Sequence, residues 1–178
     1  AYELRLSICS EIFDFTDPDA NVAEKLQKTQ TLCEIVDLVE NTDEAKKLTE
    51  DQIKMTLEMI ETNIIRRPPA IQFSSFLMDR GVSFIEPAWE HLIYVYRILN
   101  KLLAAFPTCC LFDMDLFKKI IALTDIPDYS ERQQVLTFMK LFYDSHLNKQ
   151  LEILVLVKNK LLSFTMGNDE RPPFCVSP

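Results

Sequence analysis

The scarcity of glycine restricts the folding of this chain more than any other feature of its sequence. Only two glycines, Gly81 and Gly167, occur among the 178 residues. All-β folds need many tight turns and phosphate-binding loops need several glycines, so both are disfavoured. Leu, Ile, Lys and Glu dominate between breaks marked by proline, and this composition is typical of helices. The sequence therefore predicts an all-α protein of one domain.

The first part of the chain contains three segments with apolar residues at helical spacing. The segment 3–15 has one apolar face, formed by Leu4, Ile8, Ile12 and Phe15. A second helix is predicted over residues 21–39. Thr49 and Gln52 then match a capping box, which predicts the start of a third helix that ends before the Pro-Pro pair at 68–69.

Four more helices are predicted after residues 67–85, which show no clean period and are interpreted as a long connection. The first of these, over 86–106, has Pro87 in its opening turn and Trp89 on its main apolar face. Its apolar surface is wider than one stripe, which is typical of a helix buried on more than one side. The others are predicted over 113–124, 129–145 and 148–164, and the tail over 165–178 is interpreted as irregular.

The spacing of two polar corners indicates a repeat. Glu86 and Asp128 lie 42 residues apart, and each opens a segment at a corner marked by proline. Two-helix repeats of the HEAT kind have periods of about 40–47 residues. We therefore predict a HEAT-like α-solenoid of about seven helices over residues 1–164, rather than a closed bundle.

Charge and cysteine usage limit the classes of partner. The net charge of −8 argues against nucleic acid, because phosphate binding needs a basic surface. No apolar run approaches the roughly 20 residues that a membrane span requires, so no membrane association is predicted.

None of the five cysteines forms a C-x-x-C pair. They are interpreted as reduced thiols, which indicates a cytoplasmic protein, with the nucleus as an alternative.

No sequence motif for catalytic or ligand-binding chemistry is present. His91 and His146 have no second ligand at metal-binding spacing, and no serine or cysteine has the sequence context of an activated nucleophile. We therefore expect no cofactor and no enzymatic activity, although an enzyme within a helical bundle stays an alternative. Trp89 is interpreted as a core residue. Arg66, in the only adjacent arginine pair, either contacts an acidic partner or stabilises a helix C-terminus.

Four segments, in the correct order, resemble the B′ (B-fifty-six class) regulatory subunits of protein phosphatase 2A. They are ICSEIFDFTDP, LTEDQIKMTLEMIETNIIRRPP, EPAWEHLIYVYRIL and DYSERQQVLTFMKLFYDSHL. The resemblance covers roughly residues 6–164 and implies a HEAT-like solenoid. It also implies a non-catalytic subunit that binds the phosphatase scaffold and catalytic subunits and helps to select phosphoprotein substrates.

The resemblance also implies the candidate partner-binding residues, which are Glu131, Arg132, Lys140 and Tyr143. The family binds short substrate motifs in a groove whose basic positions align with Lys140, Leu141, Gln150 and Leu154, so most of that positive charge is missing here. The loop QFSSFLMDRGVSF likewise lacks the acidic cluster that the family has before its Trp helix. An alternative is therefore a helical-repeat interaction module that has lost phosphatase binding.

The last predicted helix is apolar over most of its circumference. The end repeats of a solenoid normally carry a polar cap, and an exposed apolar patch usually marks an interface. We therefore expect this helix to be covered by the C-terminal tail, by a second copy of the chain or by a partner. Self-association through the last helix follows as a hypothesis.

Overall fold

A computed structural model describes residues 2–66 and 85–165 of the chain. This part contains eight α-helices and no strands, which confirms the all-α prediction. The seven predicted helices are all present, and the short α3 adds an eighth. The helices are α1 (Tyr2–Ser10), α2 (Val22–Glu40), α3 (Thr42–Ala45), α4 (Glu50–Ile64), α5 (Trp89–Ala105), α6 (Met114–Ile121), α7 (Tyr129–Ser145) and α8 (Gln150–Thr165).

The helices pack against their neighbours in succession along the chain. Helix α1 contacts α2 and α4, and α5 lies between these helices and α7. Helices α6 and α8 both contact α7, so α8 lies at the end of the row. This arrangement is consistent with a solenoid-like fold. The division between a domain at 1–164 and a tail at 165–178 stays a prediction, because residues from 166 onward lie outside the described part.

Helix α5 carries the widest apolar surface, as its sequence predicts. It buries residues on several sides, among them Leu92, Val95, Tyr96, Ile98, Leu99, Leu102 and Leu103. Trp89, interpreted as a core residue, is only partly buried and packs against this core. Pro87 lies in a turn before the helix rather than in its first turn, and the backbone N–H of Trp89 donates to Glu86 O at 2.9 Å.

The predicted extent of the first helix is wrong. Helix α1 ends at Ser10, and residues 11–20 form an irregular loop. Within it, Asp14 Oδ1 accepts from the backbone N–H and the hydroxyl of Thr16, at 2.8 and 2.6 Å. Such local side-chain bonds compete with helix formation. The apolar face is also misplaced, since Leu4 is 67% exposed while Leu6 and Cys9 are buried.

Side-chain caps define the starts of α3, α4, α6 and α7. The capping box of Thr49 and Gln52 is confirmed, with Gln52 N donating to Thr49 Oγ1 at 3.2 Å and Thr49 N donating to Gln52 Oε1 at 3.0 Å. Asp113 caps α6 and Asp128 caps α7 with one side-chain bond each, accepted from the backbone N–H of Leu116 and of Glu131. The predicted connection over 67–85 falls outside the described residues except for its last position. Among the helices described, none is long and apolar enough to cross a bilayer.

Candidate functional site

An ion pair with a fully buried carboxylate links the end of α4 to the start of α7. Arg66 Nη1 donates to Glu131 Oε1 at 2.9 Å, and Arg66 Nη2 donates to Glu131 Oε2 at 2.8 Å. Glu131 has no exposed surface, and its Oε1 also accepts from the Tyr96 hydroxyl at 2.8 Å. A two-point arginine–carboxylate pair fixes both the distance and the orientation of the segments that carry it.

The two corners that the sequence placed 42 residues apart meet at this ion pair. Asp128 Oδ1 accepts from the backbone N–H of Glu131 at 3.0 Å, and Asp128 Oδ2 accepts from the backbone N–H of Glu86 at 2.8 Å. The Glu86 carboxylate contacts Arg66 Nη2 at 3.0 Å. We call Arg66, Glu86, Tyr96, Asp128 and Glu131 the corner network, because they join the starts of α5 and α7 to the end of α4.

The electrostatics of the corner network keep Arg66 charged and Tyr96 neutral. Burial alone would lower the pKa of Arg66, but the hydrogen bonds and charges of Glu131 and Glu86 raise it above its ordinary value. Burial raises the pKa of Tyr96 well above its ordinary value, and the neighbouring Glu131 carboxylate adds to the effect. Tyr96 therefore stays a neutral hydrogen-bond donor, and the charge of Arg66 is neutralised by carboxylates of its own chain.

The structure places two of the four candidate partner-binding residues inside the chain. Glu131 belongs to the corner network. Arg132 is buried, and its Nη1 donates to the carbonyl oxygens of Ile126 and Pro127, at 2.8 Å each. Both side chains hold the corner before α7, so a partner could reach them only if that corner opened.

The other two candidates lie nearer the opposite end of α7. Lys140 is exposed and Tyr143 is half-buried, three residues apart on the same helix. The side-chain amide of Gln150 donates to Tyr143 O at 3.3 Å, which brings the start of α8 next to this pair. The four candidates thus do not form one surface, and partner binding at Lys140 and Tyr143 stays a prediction.

Arg66 has a role that neither interpretation of its sequence included. It pairs with Glu131 and Glu86 instead of an acidic partner or a free helix end. Arg67 lies outside the described residues. A signal for this role is present in the sequence, because Glu86 and Asp128 open equivalent corners, and equivalent corners of stacked repeats lie close together in space.

A cavity of about 420 Å³ lies beneath the loop between α1 and α2. Apolar lining comes mainly from Ile12, Phe13, Phe15 and Leu92. Polar and charged lining comes from Asp14, Thr16, Lys28, Asn63, Arg66, Glu86 and His91, of which Arg66 and Glu86 are already paired with each other. Ile12 and Pro87 line the cavity and are themselves exposed, so it opens to solvent. Its volume is in the range of small-molecule sites, which combine apolar walls with a few placed polar groups.

Lys28 is the buried cation of this cavity. Only 2% of the residue is exposed, and its Nζ donates to Glu11 O and to Asn63 Oδ1, the latter at 2.7 Å. No carboxylate in the described part of the chain forms an ion pair with it. Burial therefore lowers the pKa of Lys28 to about 8, and the nearby Cys9 and Glu11 offset this only in part. No sequence pattern indicates this site, because Lys28 lies in a polar stretch of α2.

His91 contributes an unpaired hydrogen-bonding atom to the same region. The Thr29 hydroxyl donates to Lys25 O at 3.0 Å and lies 2.8 Å from His91 Nε2. Since that hydroxyl has one proton, it accepts from Nε2–H, and the neutral ring carries its lone pair at Nδ1. The buried Nδ1 has no partner in the described part of the chain. Burial, aided by Lys28 and Lys25, lowers the pKa of His91 to about 4, so the ring is neutral at pH 7.

Helix α8 exposes an extensive apolar face. The exposed members are Leu151, Leu154, Val155, Leu161 and Leu162, with Leu147 just before the helix. On the opposite side, Ile153 is buried, and Leu156 and Val157 pack partly against the core. The apolar character that the sequence indicated is thus divided between a packed side and a side that is open in the described part of the chain.

The possible metal ligands and the cysteines form no reactive centre in residues 2–66 and 85–165. No group of His, Cys, Asp and Glu in these ranges could hold a metal ion. Cys9, Cys33, Cys109 and Cys110 are free thiols. Burial raises the pKa of Cys9 to about 12, so this thiol is a packing group and not a nucleophile. Cys175 lies outside the described residues.

These features define a helical, solenoid-like protein whose buried charges hold its corners together. Residues 3–175 match the family described as protein phosphatase 2A regulatory B subunit (B56 family). The match covers nearly the whole chain, so the chain belongs to the B56 family. This confirms the resemblance carried by the four sequence segments.

Curated relatives have the same family identity. The chain is 29% identical over 174 residues to the B′ kappa isoform of the 57 kDa regulatory subunit from rice, covering 93% of this chain and 34% of the relative. It is 30% identical over 176 residues to the 59 kDa B′ gamma isoform of Arabidopsis thaliana, covering 93% and 33%. It is 31% identical over 170 residues to the delta 2 isoform of the 56 kDa regulatory subunit from Schizosaccharomyces pombe, covering 90% and 26%. The chain therefore spans about a third or less of these relatives.

Proposed function

We propose that this chain acts as a non-catalytic regulatory subunit of protein phosphatase 2A, or as the corresponding part of one. In this role it binds the scaffold and catalytic subunits and directs the enzyme to phosphoprotein substrates. The observation that carries the proposal is the family match over residues 3–175. The relatives are named as regulatory subunits of serine/threonine protein phosphatase 2A, and each alignment covers at least 90% of this chain.

The corner network supports this role through shape. Regulatory binding by a helical-repeat protein depends on a fixed succession of helices that presents an extended surface. The Arg66–Glu131 pair and the two bonds of Asp128 hold three segments in register. We therefore assign Glu131 and Arg132 a positioning role, and Lys140 and Tyr143 the direct contact with a partner, since they have exposed surface on α7.

A binding experiment with the purified phosphatase core tests the proposal. The chain, immobilised through a terminal tag, is mixed with the scaffold and catalytic subunits at about micromolar concentration. Stable capture of both subunits is the expected result, and Lys140→Glu should weaken it while Lys54→Glu, an exposed lysine on α4, should not. No capture by a folded chain would contradict the proposal.

A second candidate function is favoured by the open face of α8. A helical-repeat interaction module that does not bind the phosphatase could use this face to associate with a second copy of the chain. The support is the row of exposed leucines on α8, which is larger than scattered surface apolar residues. The same binding experiment separates the candidates, because a module of this kind would self-associate without capturing the phosphatase core.

We place the protein in the cytoplasm, with the nucleus as an alternative. The four cysteines of the described part are free thiols, which suits a reducing compartment. Fractionation of cells that express the tagged chain tests this placement. Recovery in a secretory fraction would contradict it.

A further inference from the structure

We propose that the cavity beneath the α1–α2 loop binds the free carboxylate of an apolar amino acid whose nitrogen is acylated. An N-acyl amino acid and the C-terminal residue of a peptide share this chemistry. The cavity is lined in part by Arg66 and Glu86 of the corner network, but not by Lys140 or Tyr143, the residues assigned to direct partner contact, and the proposal does not depend on phosphatase binding.

The first argument is the unfilled capacity of Lys28. Its ammonium group has three N–H donors, and the described residues accept two of them, through Glu11 O and Asn63 Oδ1. Both acceptors are neutral, and no carboxylate in the described part of the chain forms an ion pair with the ammonium group, although nearby Glu11 offsets its burial in part. Buried charges in proteins are normally paired. A ligand carboxylate would supply both the third acceptor and the missing negative charge.

The second argument is the bare acceptor on His91. Its Nδ1 is buried and has no partner among the described residues, while Nε2–H is fixed on the Thr29 hydroxyl. Most buried polar atoms are hydrogen-bonded, so an orphaned atom calls for an explanation. A carboxylate alone cannot satisfy Nδ1, because it has no proton to donate. An N–H group next to the carboxylate can, which is why the proposal specifies an acylated amine.

The third argument is the shape and lining of the cavity. Phe13, Phe15 and Leu92 provide apolar walls, and the volume of about 420 Å³ can accommodate one large apolar side chain together with its acyl group. A free amino acid fits less well, because its ammonium group would lie in the same cavity as Lys28. The acyl group removes that charge and leaves a single N–H donor.

The test compares three probes on the intact 178-residue chain. They are N-acetyl-L-phenylalanine, its primary amide, and 3-phenylpropionate, which keeps the carboxylate but lacks the N–H. Binding is followed by titration of amide chemical shifts, which also reports whether residues around the cavity respond. We expect saturable binding of the acid, a roughly tenfold or greater loss for the amide, and a several-fold loss for 3-phenylpropionate.

Substitutions test whether Lys28 is the group that binds the carboxylate. Lys28→Met keeps most of the side-chain volume and should bind the acid roughly tenfold less tightly, as the amide does on the unaltered chain. Lys54→Met, at an exposed position on α4, is the matched control and should bind normally. If Lys28→Met fails to fold, as judged by circular dichroism, the proposal is still tested by comparing the affinities of the acid and the amide for the unaltered chain.

Equal affinity for the acid and its amide would overturn the proposal, and so would the absence of saturable shifts around the cavity. A longer peptide ending in phenylalanine distinguishes the two sources of the ligand. Tighter binding of the peptide than of N-acetyl-L-phenylalanine would identify a protein C-terminus as the natural occupant. Equal or weaker binding would identify a small N-acyl amino acid.

Discussion

Arg66 and Glu131 are 65 residues apart in the sequence and form two parallel hydrogen bonds, of 2.9 and 2.8 Å. The Glu131 side chain is inaccessible to solvent, while that of Arg66 is 25% exposed. Removing Glu131 would leave the mostly buried Arg66 with Glu86 as its only charged partner in the described part of the chain, and breaking a buried ion pair is strongly destabilising. The Arg66–Glu131 pair is therefore expected to be required for the contact between the end of α4 and the start of α7. Its contribution to stability can be measured by unfolding.

The variant Glu131→Gln removes the buried negative charge at nearly constant volume. We expect its free energy of unfolding to fall by about 3 kcal/mol, because Arg66 keeps only Glu86 as a charged partner and the Tyr96 hydroxyl loses its charged acceptor. Urea denaturation followed by circular dichroism measures the loss. Glu40→Gln is the matched control, since Glu40 pairs with Arg97 at the surface. It should cost less than about 1 kcal/mol. Equal losses for the two variants would contradict a special role for Glu131.

Asp128 is expected to matter more than an ordinary helix cap. Asp128→Ala removes the acceptor for the backbone N–H of Glu131 and the acceptor for that of Glu86. Both bonds are buried, so the loss should be about 2 kcal/mol or more. Asp113→Ala removes a cap with one bond, to Leu116 N, at an exposed position. This control should lose only about 1 kcal/mol. Thermal unfolding of both variants gives the comparison, and a smaller effect at Asp128 than at Asp113 would contradict it.

Sequence patterns predicted the helices well where spacing and caps agreed. The limits of α7 were predicted at 129 and 145, as observed, because Asp128 caps the start and apolar residues recur at helical spacing. The pattern failed at residues 11–15, where Ile12 and Phe15 continue the period of α1. There the bonds of Asp14 to Thr16 favour a loop, and Phe15 packs edge-on against His91 at a centroid distance of 4.5 Å.

The candidate site was less accessible to sequence analysis than the fold. Glutamate and lysine are almost never fully buried unless they are paired, so their default interpretation is a solvated face. Glu131 and Lys28 are buried instead, because each bonds a distant residue: Glu131 bonds Arg66, 65 residues away, and Lys28 bonds Asn63, 35 residues away. Sequence spacing cannot reveal such pairs until the repeat is folded. The spacing of the corners at Glu86 and Asp128 predicted a repeat, but their contact is visible only in the folded chain.

Acid should destabilise the chain through His91. Its pKa is about 4 in the folded state, against an ordinary value of 6.5, so the unfolded chain binds more protons between these values. Stability therefore rises with pH across this window and is lost as the pH falls from 6.5 towards 4, by about 3 kcal/mol at most. His91→Phe keeps a ring beside Phe15 and should remove this part of the pH dependence, as measured by urea denaturation at several pH values.

A nuclear magnetic resonance titration of the His91 ring checks the same prediction directly. Its midpoint should lie well below 6.5. Lys25→Met removes one of the two cations that lower this pKa, so the midpoint should move upward, although burial keeps it below its ordinary value. A midpoint near 6.5 in the unaltered chain would show that the ring is solvated and would contradict the prediction.

The exposed leucines of α8 are expected to drive self-association of the isolated chain. Leu151 and Leu154 are 77% and 51% exposed and lie on the open side of the helix, so burying them against a second copy removes apolar surface from water. We expect the chain to form dimers or larger species above about 10 µM, and the double variant Leu151→Glu/Leu154→Glu to be monomeric. Leu26→Glu is the matched control, because Leu26 is 57% exposed on α2, which packs mainly against α1, α3 and α5. Sedimentation velocity distinguishes the species, and a chain that stays monomeric without these substitutions would show that the α8 face is not an interface between copies.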